Sequence, residues 1–390
     1  MNMMTRDNKE NRKYLAINAG SSSLKFALYT KGGVLVAEGR WEKDAAAFVF
    51  KANGNKDEGR VAFQTHEEAF EYMLKSFVRE SVIQSEAEIV KVAHRAVHGG
   101  LVFTEPTMIT PEVLEQFEGM LDLAPLHNPA NLACAKLAVE KMPHAKHYFV
   151  FDTAFHSTIP EVNRIYALPY EYYEKGIQVY GFHGISHEDM TIRTAQYLGK
   201  PKEEVNLIIC HLGNGASITT VKAGKSFDTT MGYTPLDGLT MGTRTGHLDP
   251  GVVLKVVEEC GSVEEANKVL NKQSGLLGIS GGTSSDMRYL LELEERGYHK
   301  AGLAVKKFVQ EVIKACGSAY FQLGGKVDAI VFTGGIGENS KEIVRRVVKD
   351  LEPIGIILSK DPNELTTAES KIPVLQFAAN EELAMIKQIW

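Results

Sequence analysis

Three segments of this chain set a cation or a hydrogen-bond donor among glycines: His94-Arg95-Ala-Val-His98-Gly-Gly100, Tyr180-Gly-Phe-His183-Gly-Ile-Ser-His187 and Met241-Gly-Thr-Arg244-Thr-Gly-His247. An arginine at a strand end is most often a surface ion-pair partner. Beside glycine, where the backbone leaves room for a ligand, Arg95, Arg244 and His183 are suited to stabilising charge on phosphate oxygens. Asp152 follows the apolar run Tyr148-Phe-Val-Phe151, a strand-end position common for a catalytic base. The i,i+4 spacing of His94/His98 and of His183/His187 would admit a metal pair. No HExxH occurs and no third ligand offers itself, and the neighbouring glycines fit tight turns better than a continuous helix. His183 and His211 therefore read as donors to phosphate oxygens, and His94, His98 and His187 as structural.

Glycine-rich turns supply the other half of a phosphate site, because backbone N–H groups free of side-chain cover can point together at an anion. Asn18-Ala-Gly-Ser-Ser-Ser adds hydroxyls, with Lys25 close behind; His211-Leu212-Gly213-Asn214-Gly215 and Gly334-Gly335-Ile336-Gly337-Glu338-Asn339-Ser340 are the others. One such turn alone usually connects strands and binds nothing; three in one chain reverse that preference. None is a familiar nucleotide motif. A Walker A loop ending at Gly224-Lys225-Ser226 needs glycine at Thr219, and Gly335-Ile-Gly-Glu-Asn-Ser does not satisfy GxGxxG.

The elements around these turns repeat. Strands are expected at Tyr14–Ile17, Leu24–Tyr29 and Val34–Ala37, and again at Leu207–Cys210, Ala216–Val221 and Ser226–Thr229, a duplicated strand, glycine turn, strand, tight turn, strand. A third junction runs from the strand at Ala329 through a glycine loop into a helix over Lys341–Leu351. Helical spacing also marks Glu67–Arg79, Pro111–Leu121, Asn131–Lys141 and Ala301–Phe321, so strands alternate with helices in an α/β fold.

At 390 residues the chain is longer than one core usually supports. Two domains are expected, 1–155 completed by the tail at about 383–390, and 156–382. A net charge of -6 offers no general attraction to nucleic acid or to anionic membranes. The polar start Met1–Lys13 lacks the apolar core of a secretory signal, and the apolar stretches are strand-length, which together point to the cytoplasm. Cys134, Cys210, Cys260 and Cys316 lie far apart with no CxxC pair and read as reduced, mostly buried hydrophobes.

A nucleotide held by two duplicated hairpins and a third glycine loop resembles the actin, sugar kinase and Hsp70 superfamily. Within it the chain resembles the acetate kinase family through the segments above and through Asp122-Leu-Ala-Pro-Leu-His-Asn-Pro129, Phe151-Asp-Thr-Ala-Phe-His156, Ser284-Ser-Asp-Met-Arg288 and Asn380-Glu-Glu382, in family order from residue 14 to the last ten. The resemblance implies two actin-like (ribonuclease H-like) domains with a nucleotide cleft between them that close over the nucleotide, and ATP-dependent, reversible phosphorylation of acetate to acetyl phosphate and ADP. It implies that Asn18 and Glu381 help hold Mg2+ (or Mn2+), and that Lys25 lies near the phosphates. His211 to Gly215 (Leu212, Gly213 and Asn214 between them), Asp286, Met287 and Arg288, and Gly335 to Asn339 (Ile336, Gly337 and Glu338 between them) would bind ATP. Arg95, Asp152, His183 and Arg244 would surround the transferred group, and Val97, Leu126, Phe182 and Pro235 the methyl group. A homodimer is also implied. Met287 stands where the family often has a bulkier aromatic residue, and Thr245-Gly-His247 replaces a commoner Ser-Gly-Asp. Because a fatty acid is already ionised at pH 7, a base is not required, and Asp152 is expected to orient an arginine or a metal-bound water. A propionate or butyrate kinase and a non-enzymatic, actin-like ATP switch are the rival readings.

Overall fold

The computed structural model describes residues 11–61 and 63–390, so the first ten residues of the polar Met1–Lys13 run lie outside the described residues. The chain divides into two compact units, Met1–Ala154 with Asn380–Trp390, and Phe155–Ala379.

In the first unit β1 (Lys13–Ala19), β2 (Ser23–Thr30), β3 (Leu35–Glu42), β4 (Ala47–Ala52) and β5 (Asn55–Arg60) form an antiparallel meander. β6 (Ile89–Ala96) then runs parallel to β1, β8 (Lys146–Phe151) parallel to β6, and the short β7 (Thr107–Met108) closes the edge, giving the order β5-β4-β3-β2-β1-β6-β8-β7. β1 is buried on both faces through Tyr14, Leu15, Ala16 and Ile17, the continuous apolar run of a central strand. The third strand begins at Leu35, not Val34, and continues past Ala37 to bring Trp41 into the core; β4 and β5 were not foreseen, since β5 is exposed along its whole length and carries no apolar alternation.

Helix α1 (His66–Arg79) starts from a capping box, in which the Thr65 hydroxyl accepts from the Glu68 N–H while Glu68 reaches back to the Thr65 N–H. Its Phe70, Met73 and Phe77 form one buried stripe; Phe77 meets Phe26 edge-on at 5.7 Å, and Phe26 also packs on Phe48 and Phe50. α2 (Pro111–Glu118) and α3 (Asn128–Lys141) follow, the latter starting three residues before the expected Asn131, with Pro129 in its first turn.

The second unit repeats the arrangement. β9 (Leu207–Leu212), β10 (Ala216–Lys222) and β11 (Lys225–Thr229) form the meander, β12 (Ala329–Thr333) runs parallel to β9, and β13 (Val374–Gln376) parallel to β12. The order β11-β10-β9-β12-β13 reproduces β3-β2-β1-β6-β8, so the duplication read from the sequence is present in the topology. Its helices include α4 (Gly184–Leu198), α5 (Met287–Glu295), α6 (His299–Gln322), α7 (Gly334–Asn339) and α8 (Lys341–Asp350). Two expectations fail here. The glycine segment after β12 is not a loop but the six-residue helix α7, entered through Gly334 at φ +76°. The His183/His187 segment is also helical: His183 caps the 15-residue α4 and His187 sits in its first turn. In both places the tertiary packing of the helix overrides the local signal of the glycines.

The closing helix α9 (Glu381–Gln388) returns to the first unit and packs on β1, β2 and β6. Its cap Asn380 accepts from the Leu383 N–H and from the Tyr29 hydroxyl. Cys134, Cys210 and Cys316 are buried, and Cys260 partly so. Among the described residues no helix is long and apolar enough to cross a membrane. Truncating Phe26 to Ala should cost about 3–5 kcal/mol, as for other fully buried aromatics. Trp41 and Trp390, the chain's two tryptophans, both belong to the first unit, so the lowered urea midpoint is read by their fluorescence.

Candidate active site

β1, β6 and β8 are parallel neighbours, and the first unit's chemical groups lie at or just beyond their carboxyl ends: Asn18, Arg95 and Asp152. Asp152 is 3% exposed and takes both arms of Arg95, Nε at 3.0 Å and Nη2 at 2.6 Å. Burial disfavours charge on Arg95, but Asp152 and then Glu381, 3.8 Å from Nη1, outweigh it and hold its pKa raised. Such a fork-to-fork pair fixes the guanidinium plane. The turn after β6 is pinned from α3: Asn131 accepts from the Val97 N–H and donates to the Ala19 carbonyl, while Asn128 accepts from the His98 N–H and donates to the His98 and Met120 carbonyls. These two asparagines were missed. Asn128 lay inside a motif segment, but nothing local says that it reaches 30 residues back. Val97 is buried, Leu126 is half exposed, and Lys25 points outward from β2 opposite Asn18.

In the second unit His183 has φ +58°, a left-handed conformation that is unusual for a residue other than glycine and that clusters at functional sites. Its Nδ1 lies 2.9 Å from the Ser217 hydroxyl, and its ring stacks on His211 at 4.4 Å. A Cβ placed on Gly215 would lie 3.2 Å from His183 Nε2 and 3.7 Å from Arg244 Nη1, so the turn after β9 carries these two side chains against its backbone. Arg244 donates to the Pro235 carbonyl at 3.0 Å. His211 Nδ1 meets the Ser186 hydroxyl at 2.8 Å. Phe182 is buried, and His156 bonds to its carbonyl, so the ring pins the turn that presents His183.

The same turn opens onto a cleft of about 530 Å³ lined by Gly213, Asn214, Ser285, Asp286, Met287, Arg288, Gly335, Ile336, Asn339 and Ser340. Three segments separated by some fifty to seventy residues of sequence thus meet around one cavity. Asp286 caps α5 and holds Arg288 with both oxygens, at 3.1 and 2.6 Å. Met287 lines the cavity with little exposed surface. Ser285 and Ser340 were not singled out, although both adjoin residues that were. Of the residues expected to bind ATP, His211, Leu212, Gly215, Gly337 and Glu338 are not in the lining. Leu212 is buried in β9, the Gly337 carbonyl accepts from Gln376, and Glu338 accepts from the Ala379 N–H.

A model described as "Acetokinase family" matches residues 13–387. The chain belongs to the acetokinase family. It is 43% identical to an acetate kinase from Bacillus cereus over 97% of this chain and 98% of the relative, and 44% identical to that of Geobacillus kaustophilus with the same coverage. Among solved structures, an acetate kinase from Porphyromonas gingivalis superposes with a TM-score of 0.89 at 37% identity, covering 96% of this chain and 98% of the other. A propionate kinase from Francisella tularensis superposes at 0.90 and 39%, covering 97% and 98%. The two sheets are therefore those of an actin-like acetokinase, a phosphotransferase that uses ATP and a carboxyl acceptor.

For the divalent ion that the family implies, the donor chemistry is right: Asn18 and Glu381 offer hard oxygens, Glu381 keeps 24% of its side chain exposed, and both belong to the first unit. Among the described residues no group of three or more His, Cys, Asp or Glu could hold a metal.

Burial pushes His98 and His156 down to about 4 from the ordinary 6.5. The unfolded chain takes up these protons first as pH falls, so their stabilisation is complete above pH 6.5 and is lost on the way to pH 4. Between pH 7 and 5 each should cost on the order of 2 kcal/mol in urea unfolding, and His156→Gln should remove its share of that fall.

Proposed function

We propose that the chain transfers the γ-phosphoryl group of ATP in line to the carboxylate of acetate, reversibly, giving acetyl phosphate and ADP. One observation carries this reading: the turn that begins in the nucleotide-sized cleft at Gly213 and Asn214 ends at Gly215 against His183 Nε2 and Arg244 Nη1. A nucleotide seated in the cleft would send its phosphates along that turn towards two donors suited to the equatorial oxygens of the moving group.

The acceptor is an anion at neutral pH, so no proton has to be removed. Arg95 binds the carboxylate or the transferred group, and Asp152 is engaged in aiming Arg95 through both oxygens. Lys25 is assigned to the phosphates, and Asn18 with Glu381 to Mg2+, which when bound would neutralise charge on the phosphate oxygens. Val97, Leu126, Phe182 and Pro235 are assigned to the acyl group. One methylene more or less in such a pocket is worth about 1–3 kcal/mol, so propionate should be a poorer substrate that is still accepted. The similarity to a propionate kinase makes that acid the second reading. A cytoplasmic homodimer completes the proposal, in keeping with four cysteines that are all free thiols.

Acyl phosphate trapped with hydroxylamine should form fastest with acetate, more slowly with propionate and slowest with butyrate, and should vanish when magnesium is omitted. Preference for a longer acid would move the assignment to a sibling kinase, and no product with any acid would leave a nucleotide switch. Asp152→Asn should lower turnover about 10- to 100-fold without moving the pH optimum, because the carboxylate aims a cation and takes no proton. A large alkaline shift in that variant's profile would show instead that Asp152 acts as a base.

A further inference from the structure

Ser217 lies on β10, directly opposite His211 of β9, and is fully buried. Its hydroxyl touches two imidazoles, His183 Nδ1 at 2.9 Å and His187 Nε2 at 2.7 Å. A hydroxyl has one hydrogen to donate and lone pairs with which to accept, so between two rings it settles into one of two senses. His187 decides which. Its Nδ1 is buried with no hydrogen-bond partner among the described residues. Burial, with His156 and His211 nearby, holds His187 well below the usual imidazole range, so it carries a single proton. Putting that proton on Nδ1 would bury an orphan N–H, a group that folded proteins almost never leave unpaired; putting it on Nε2 gives it the Ser217 oxygen as acceptor.

We infer that Ser217 is a positioning residue that fixes the proton order of this row: His187 Nε2–H donates to Ser217 Oγ, the Ser217 hydroxyl donates to His183 Nδ1, and His183 therefore carries its proton on Nε2. That nitrogen is the one beside Gly215 and Arg244. In this tautomer His183 offers a hydrogen to a phosphoryl oxygen; in the other it would present a lone pair to an anion. The catalytic consequence rests on the phosphotransfer reading, whereas the proton order does not.

Both parts are open to test. In protein labelled with [15N]histidine, two-bond 15N–1H correlation spectra distinguish the tautomers, and loss of signals in His183→Asn and His187→Gln assigns the two rings among the 12 histidines. Wild-type His183 should show a protonated Nε2 and an unprotonated Nδ1. Ser217→Ala should lose that single pattern and lower kcat with acetate at least about tenfold, with KM for ATP and acetate within about twofold, since a wrong tautomer disables a donor without removing a contact. Ser217→Thr restores the hydroxyl on a strand that favours β-branched residues and should recover most of kcat. A wild-type spectrum with the proton on Nδ1, or full kcat in Ser217→Ala, overturns the inference. The wild-type spectrum decides the proton order even if a variant fails to fold. A wild-type protein with the expected tautomer but no acyl phosphate formation would overturn the phosphotransfer reading and the catalytic half of the inference, and would leave the proton order standing.

Discussion

Parallel strands that stop side by side are the constraint on which both units are built. Where β1, β6 and β8 end, and where β9 and β12 end, the ladder no longer satisfies backbone groups, and the chain must turn sharply over the sheet edge. After β1, β6, β9 and β12 the turns that do so are the glycine segments, and after β8 the chain turns through Asp152-Thr-Ala. Gly334 shows the stringency: at φ +76° its absent side chain would lie 2.8 Å from the Leu212 carbonyl, so β12 leaves its sheet by passing directly against the end of β9. A fold that needs small residues there also leaves backbone uncovered there, and the same property makes a turn both tight and able to hold an anion.

The second requirement is to keep charge ready without letting it collapse. Arg95 remains charged in a largely buried position because Asp152 takes two of its nitrogens, and Glu381 adds a longer-range attraction. Removing one partner from such a pair leaves the other buried and uncompensated, so the two residues stand or fall together. Imidazoles meet the same pressure in the opposite way. His94, His98, His156 and His187 are all held neutral by burial: His94 bonds to the His147 ring, His98 accepts from the Gly100 N–H, His156 bonds to the Phe182 carbonyl and the Ser226 hydroxyl, and His187 bonds to the Ser217 hydroxyl. Cations are thereby restricted to the places where a carboxylate or a ligand can answer them.

Duplication explains why one chain meets these requirements twice and uses them differently. Strand order and direction are shared, yet the first unit extends its meander by β4 and β5, and the second encloses its cavity with α5 and α7. The first unit presents a carboxylate-held arginine and oxygen donors, the second a glycine turn with a histidine and an arginine against it. A common scaffold therefore sets where groups stand, while the loops decide which groups they are.

Much of this was legible in the sequence, because it depends on local chemistry. Buried strands read as apolar runs, the two hairpins repeat a recognisable grammar, and side chains set near glycines, such as Arg95, His183 and Arg244, mark themselves by type and spacing. What stayed hidden needed distance: Asn128 and Asn131 clasping the turn after β6, Ser217 joining two histidines 30 and 34 residues away, and three segments meeting at one cavity. Local signals also misled where packing overruled them, as when the glycines around His183 and Gly335 pointed to loops and the chain formed helices. The sequence by itself determined which residue types were available and the periodicity of the elements that carry them, since both are read within a few positions. Only the tertiary structure decided who bonds to whom, because burial, hydrogen-bond partners and the proton a histidine keeps are set by neighbours that the chain brings together only on folding.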